Sequence, residues 1–330
     1  MDTITCQVNA LYEKFPYPYS AVKSDLLTDL HVLVHILLAE AGIDEDEISR
    51  YSFFDAGCGS GQRILGLASQ FPGARFTCID MTEASLNIAR GQAEKHGIKN
   101  VTFRKQNILE LVEQANYDIV TSMGVIHHLS DPVRGVRNLV SLLAEDGILI
   151  VHIYHTLGEH RRLLLRELNR TLVQAESLEY GIKIMRDLGL SLSQEYYGKY
   201  GYNQDLSDLD HISKDVDVYL HPRVFTYRFA EGVDLFRSSG LDWVAINSVN
   251  TPSDSYFVSA SSPLEPFAFN PFETLSTDRL RSAYEGLGVE DKLKVIELLL
   301  EPTAFSLVAG RNKALDKVGS RIHHNLIRLS

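Results

Sequence analysis

Residues 53–61 read Phe53-Phe54-Asp55-Ala56-Gly57-Cys58-Gly59-Ser60-Gly61, or FFDAGCGSG. An apolar run from Tyr51 to Phe54 leads straight into Asp55, and three alternate glycines follow. Beyond them, Arg63 to Gln70 is amphipathic, with Ile64, Leu65, Leu67 and Ala68 apolar. The pattern is strand, tight turn, helix. Glycines at such a turn tolerate positive φ and let a ligand reach main-chain N–H groups. A second strand-like run, Arg75 to Ile79, ends in Asp80. It lies about 20 residues past the glycines, where an acid can accept two hydrogen bonds from a ribose diol.

A dinucleotide loop of the form G-x-G-x-x-G would need its third glycine at Gln62. Here the glycines run G-x-G-x-G behind Asp55. This stretch resembles the glycine-rich first motif of class I S-adenosylmethionine-dependent methyltransferases. Further segments follow in the family's order. Ile79-Asp80-Met81 is similar to the second motif, and Gln106-Asn107-Ile108 to the segment that contacts adenine. Tyr117 to Val120, with His127-His128-Leu129, resembles the fourth strand and its turn, and Ala144 to Val151 the turn into strand five.

The resemblance implies an α/β fold: a doubly wound, seven-stranded, mostly parallel Rossmann-like sheet with an antiparallel edge strand. A helical N-terminal cap and insertions would be added to it. It implies S-adenosyl-L-methionine as cofactor. Asp55, Ala56, Gly57, Cys58, Gly59 and Gly61 would face its amino-acid part and ribose. Asp80 would hold the ribose hydroxyls, Met81 would pack on adenine, and Asn107 with Ile108 would meet the adenine edge. Ser122 and Met123 would pass beside the methionine moiety. His128 is the candidate base, with His127, Tyr154 and His155 on the same rim. Neutral histidine suits that role because its pKa lies near the operating pH. Tyr12, Tyr17 and Tyr19 in an aromatic leader, and Tyr196, Tyr197 and Tyr200 farther on, are candidate substrate contacts.

Composition narrows the class. The chain has 330 residues, 45% of them hydrophobic and 23% charged, which suits a globular protein. A net charge of −11 argues against non-specific binding to nucleic acid or a membrane surface. Cys6, Cys58 and Cys78 have no C-x-x-C spacing, so they fit a reducing compartment and offer no zinc site. With no signal-peptide pattern and no apolar run long enough to span a bilayer, a cytoplasmic location is expected. No metal is assigned, because no carboxylate–histidine spacing draws His127, His128, His152, His155 and His221 together. A homodimer stays open.

Along the chain, 1–48 reads as an aromatic and helical cap, and 49–154 as the cofactor-binding core with strands one to five. Residues 155–222 read as a helical, tyrosine-rich lid in which Asp205 to Asp217 is acidic and loop-like. Residues 223–310 return to the core. They begin with a last core helix near 225–239, continue as strand six near 243–249, carry a second insertion at 250–300, and end in Ala304 to Gly310 as strand seven at the sheet edge. The tail, 311–330, reads as a basic helix or a frayed end. The expected activity is methyl transfer to an enclosed small-molecule acceptor. The alternatives are a protein or peptide methyltransferase, or a catalytically silent cofactor-binding module.

Overall fold

Adjacent residues in the central strands go to opposite sides of one sheet. Phe53, Ile119 and Ile148 belong to one apolar core, while Phe54, Val120 and Leu149 belong to the other. A strand's side chains alternate, so such runs must be covered by helices on both faces. The computed structural model describes residues 2–18, 29–112, 114–174, 177–191, 208–260 and 268–329. In these, β1 (Ser52–Ala56), β2 (Arg75–Asp80), β3 (Val101–Lys105), β4 (Tyr117–Met123) and β5 (Leu143–Tyr154) run parallel. They are joined by β6 (Trp243–Asn250), β7 (Ser255–Phe257), β8 (Ala304–Gly310) and β9 (Leu326–Arg328).

The order across the sheet is β3-β2-β1-β4-β5-β8-β6-β7, with β9 paired to β6. Strand order reverses between β1 and β4, so a crevice opens at the carboxyl ends of these strands. The doubly wound, mostly parallel sheet is thus as expected, with nine strands instead of seven. The antiparallel strand β8 lies inside the sheet, hydrogen-bonded to β5 on one side and β6 on the other. All seven of its residues are buried, which an edge position would not permit. On that side the edge is formed by the short β7 and β9, both antiparallel to β6, and β3 is the opposite edge.

Three other expectations change. Residues 208–217 belong to the helix Asp208–Leu220. Its Ile212, Val216, Tyr219 and Leu220 pack against Leu11, Ile182 and Met185, a helical stripe that the intervening acids conceal. The helix expected near 225–239 is confined to Phe229–Asp234. The tail keeps the helical alternative at Ser320–His324 but adds a strand: Arg321 is buried, donating to the Asn247 carbonyl at 3.0 Å and to Glu40 at 3.0 Å, and β9 pairs with Trp243 to Ala245.

The helices of 155–222, Thr156–Val173 and Leu178–Asp187, pack with Asp208–Leu220 and the N-terminal helix Thr3–Lys14 around their own small core. Glu13 links that layer to the sheet domain. Its carboxylate accepts from the Glu83 and Ala84 N–H groups at 2.9 and 3.1 Å, capping the helix Glu83–Lys95. The cap residue Thr82 instead turns its hydroxyl to Asp80 at 2.7 Å.

His155 lies at the end of β5 but faces the rear core. Its Nδ1 accepts the Leu157 N–H at 3.1 Å, and its Nε2 donates to Glu297 at 2.8 Å. Burial alone would raise the Glu297 carboxyl, but hydrogen bonds from His155, Arg228 and the Phe229 N–H hold it at about 2. Glu297→Ala strips buried partners from His155 and Phe229 and should cost about 3 kcal/mol. Urea denaturation should show that loss.

Candidate active site

The glycine loop is built from backbone that side chains would obstruct. Gly57, Gly59 and Gly61 have φ of +80°, +53° and +80°. A β-carbon on Gly59 would lie 2.3 Å from the Tyr17 carbonyl oxygen, and one on Gly57 would lie 2.5 Å from Val125. The tight packing at Gly57 is therefore against the turn after β4, in addition to any ligand. The Gly57 and Cys58 N–H groups bond the Ile79 carbonyl at 2.8 and 2.9 Å. Asp80 then clasps the switch point. One carboxylate oxygen takes the Gly59 N–H at 2.9 Å, and the other takes the Thr82 N–H and hydroxyl at 2.9 and 2.7 Å. Burial pushes the Asp80 carboxyl up, against the pull of these bonds.

Beside the loop is a cavity of about 260 Å³. Gly57, Cys58, Gly59, Asp80, Met81, Asn107, Ile108 and Met123 line one part of it, and Tyr12, His128, Tyr154 and Asp217 another. The N-terminal segment contributes Val8, Tyr12, Tyr17 and Pro18 to the wall. Asn107 accepts the Leu109 N–H at 3.0 Å, which fixes its side chain at the start of the turn Ile108–Glu110.

The polar part is a set of packed rings beside a carboxylate. His127 lies between His128 and Tyr154, with ring centroids 4.2 and 4.0 Å away. His128 stacks on His221 at 3.8 Å. The Arg223 main chain sets both outer rings. Its carbonyl accepts from His128 Nδ1 at 2.9 Å, and its N–H donates to His221 Nδ1 at 3.1 Å. In the neutral state, His128 therefore keeps a lone pair on Nε2, whereas His221 carries its proton there. Burial holds both rings below the usual histidine range. Asp217 accepts from the Tyr12 hydroxyl at 2.5 Å, and burial, then Asp217, raises that phenol well above its usual value.

His128, Asp217 and His221 bring three ligand-type atoms within 4.8 Å of one another. The Arg223 N–H occupies the lone pair of His221 Nδ1, and its Nε2 bears hydrogen. That leaves two ready donors, fewer than an open metal site requires.

Several expected residues stand behind the wall. Asp55 is buried and accepts from the Thr121 hydroxyl at 2.6 Å. Ser122 donates to the Ala56 carbonyl at 3.0 Å, and Gly61 bonds the Cys58 carbonyl at 2.9 Å. None of Asp55, Ala56, Gly61 and Ser122 lines the cavity. His127 is fully buried, with neither ring nitrogen partnered among the described residues, so it backs His128, and His155 is committed elsewhere. Tyr19, Tyr196, Tyr197 and Tyr200 lie outside the described residues. Sequence reasoning missed Arg63 and Asp217 on the wall, and weighed His152, which also lines it, only as a metal ligand. Asp217 had a signal: Ser213, Asp217 and His221 recur every four residues, and all three are buried.

Residues 48–200 match the family model described as a methyltransferase domain. Over 231 residues, 69% of this chain and 77% of the relative, the sequence is 26% identical to a malonyl-[acyl-carrier protein] O-methyltransferase of Bacillus anthracis. Over 101 residues, 29% of this chain and 42% of the relative, it is 35% identical to a ubiquinone biosynthesis O-methyltransferase of Actinobacillus pleuropneumoniae. PKMT2 from Rickettsia typhi, solved in complex with AdoHcy, shares the fold with a TM-score of 0.60 at 15% identity. That alignment covers 93% of this chain but 56% of the longer one. Together these findings define a class I S-adenosylmethionine-dependent methyltransferase. The chain is an enzyme of the methyl-transfer class, and S-adenosylmethionine is its cofactor. Among the described residues no helix is long and apolar enough to cross a membrane.

Asp80→Ala should weaken binding of S-adenosylhomocysteine by about 1–3 kcal/mol, measured by calorimetry. Asp55 gives a second test. Burial raises its carboxyl to about 6, against the Thr121 hydrogen bond. The folded protein then binds this proton more tightly than the unfolded chain, whose aspartates titrate near 4. The Asp55 contribution to stability is full below that value and is lost as pH rises through about 6. Denaturation profiles should show Asp55→Asn gaining stability relative to wild type across this window.

Proposed function

We propose that this chain methylates a small-molecule acceptor held between the carboxyl edge of the sheet and a lid made by 1–48 and 155–222. The observation that carries this reading is the shared cavity. The loop and Asp80 border the same space as His128, Tyr154 and Asp217. Residues 49–154 and the end of the core within 223–310 hold the cofactor side, and 311–330 completes the sheet. A cytoplasmic location belongs to the same proposal.

When bound, S-adenosylmethionine supplies a methyl group made electrophilic by its sulfonium. Gly57, Gly59 and Asp80 fit its ribose, since the loop presents main chain without side chains and Asp80 has two accepting oxygens. Met81, Asn107 and Ile108 would hold the adenine. Arg63 lines the wall near the loop, and its Nε donates to both Asp29 oxygens at 3.1 Å. Its guanidinium suits the cofactor's carboxylate. The helices above exclude water, and alignment of donor and acceptor supplies much of the rate.

His128 would act as base through Nε2, because Nδ1 is spent on the Arg223 carbonyl. His128→Asn should lower kcat by about 10²–10⁴-fold with cofactor affinity unchanged. Only neutral His128 accepts a proton, so the wild-type rate should rise with pH and level off. Burial holds this histidine below 6.5, which puts that limb on the acid side of neutrality. A limb that persists in His128→Asn belongs to another group. Turnover of labelled cofactor against a metabolite extract, then against peptides, tests the acceptor. Transfer to peptides alone would overturn the small-molecule assignment, and no transfer to either would favour a silent binding module.

A further inference from the structure

Asp217 is 3% exposed, yet it opens on the cavity. Its one hydrogen bond among the described residues comes from Tyr12, a neutral donor. No cation pairs with it there. Arg166, the buried guanidinium nearest in effect, donates instead to the His221 carbonyl at 3.0 Å. Arg166 reaches Asp217 only through its field, with no contact ion pair between them, and a buried carboxylate compensated in this indirect way gains further when a guest supplies positive charge in contact with it. The base His128 borders the same space.

Resting on the methyl-transfer reading above, we infer that the acceptor is an amine, which enters as an ammonium ion paired with Asp217 and gives its proton to His128. The charge balance favours nitrogen over oxygen. The ammonium passes one proton to His128 Nε2 and becomes a neutral amine. The nitrogen lone pair then forms the bond to the methyl carbon while the carbon–sulfur pair leaves on sulfur. Positive charge moves from sulfur to nitrogen, so it develops beside Asp217 in the transition state. A carboxylic acid would instead enter as an anion next to a buried carboxylate, and a phenol, neutral on entry, would have to develop its negative charge there on losing a proton to His128. Rejection of anions and acceptance of ammonium thus follow from one side chain. The fixed His221 Nε2–H does not compete with the acceptor for the carboxylate, since it has no hydrogen-bond partner among the described residues.

The test uses full-length protein loaded with S-adenosylhomocysteine, and benzylamine, benzyl alcohol and benzoate as probes of one shape. A lysine-containing tripeptide separates a side-chain amine from a free one. Melting temperature reports binding, and labelled S-adenosylmethionine reports transfer. Benzylamine or the tripeptide should raise the melting temperature, whereas benzoate should not. Asp217→Asn, which keeps an acceptor for Tyr12, should abolish that shift and reduce kcat/KM for the amine by about 100-fold or more, with S-adenosylhomocysteine affinity retained. Tyr12→Phe keeps the carboxylate and should keep the amine preference. Preference for the alcohol or benzoate, failure of both amines to bind the loaded enzyme, or an amine preference that survives in Asp217→Asn overturns the inference. So does loss of the amine response on adding EDTA, which would put a metal ion on Asp217. Failure to bind S-adenosylhomocysteine at all would instead overturn the methyl-transfer reading beneath it.

Discussion

The carboxylate of Asp80 holds the two halves of the switch point together. Through Gly59 it fixes the loop after β1, and through Thr82 it fixes the start of the helix after β2. The position of the loop decides where the N-terminal segment can sit, because the Tyr17 carbonyl occupies the space that a β-carbon on Gly59 would need. The helix before that segment carries Tyr12 to Asp217, and Glu13 to the helix beginning at Glu83. Loop, cap and far wall are thus successive consequences of one set of short bonds. Such preorganisation is what positional catalysis requires, because the alignment exists before the reactants meet.

Much of the architecture was legible because the parallel strands leave a strong trace. Phe53-Phe54, Ile119-Val120 and Ile148-Leu149 are apolar on both faces, and Asp55, Gly57, Gly59 and Asp80 mark the ends of strands by their chemistry. The far wall was less legible. Asp217 and His221 are remote from His128 in the chain, and the hydrogen bond that ties His128 to the neighbouring Arg223 carbonyl spans 95 residues. The helix that carries Asp217 and ends just before His221 reads in sequence as an acidic loop, since its apolar stripe of Ile212, Val216 and Leu220 is interrupted by charge. Local periodicity shows which face a residue takes, but not which distant element will close over it.

The histidines make the same point through their partners. His155 and His128 both follow core strands on the same edge of the sheet, and both looked like rim residues. The first gives its proton to a carboxylate and accepts from a main-chain N–H, so neither nitrogen is left for a ligand. The second spends one nitrogen on a carbonyl and keeps the other at the cavity. Residue type gave the chemistry that was possible. Which histidine could exercise it depended on hydrogen bonds supplied by segments far away in sequence.

Arg223 does its work through its peptide groups. One N–H and one carbonyl set the proton directions of two imidazoles. Nearly any amino acid could supply those atoms, and only proline, lacking the N–H, could not. A residue other than proline at this position would therefore keep those two bonds, while giving up the Arg223 side-chain contacts with the Ser130 carbonyl and the Phe225 ring. Heredity can preserve such a feature in the course of the chain without leaving a signature in the letters.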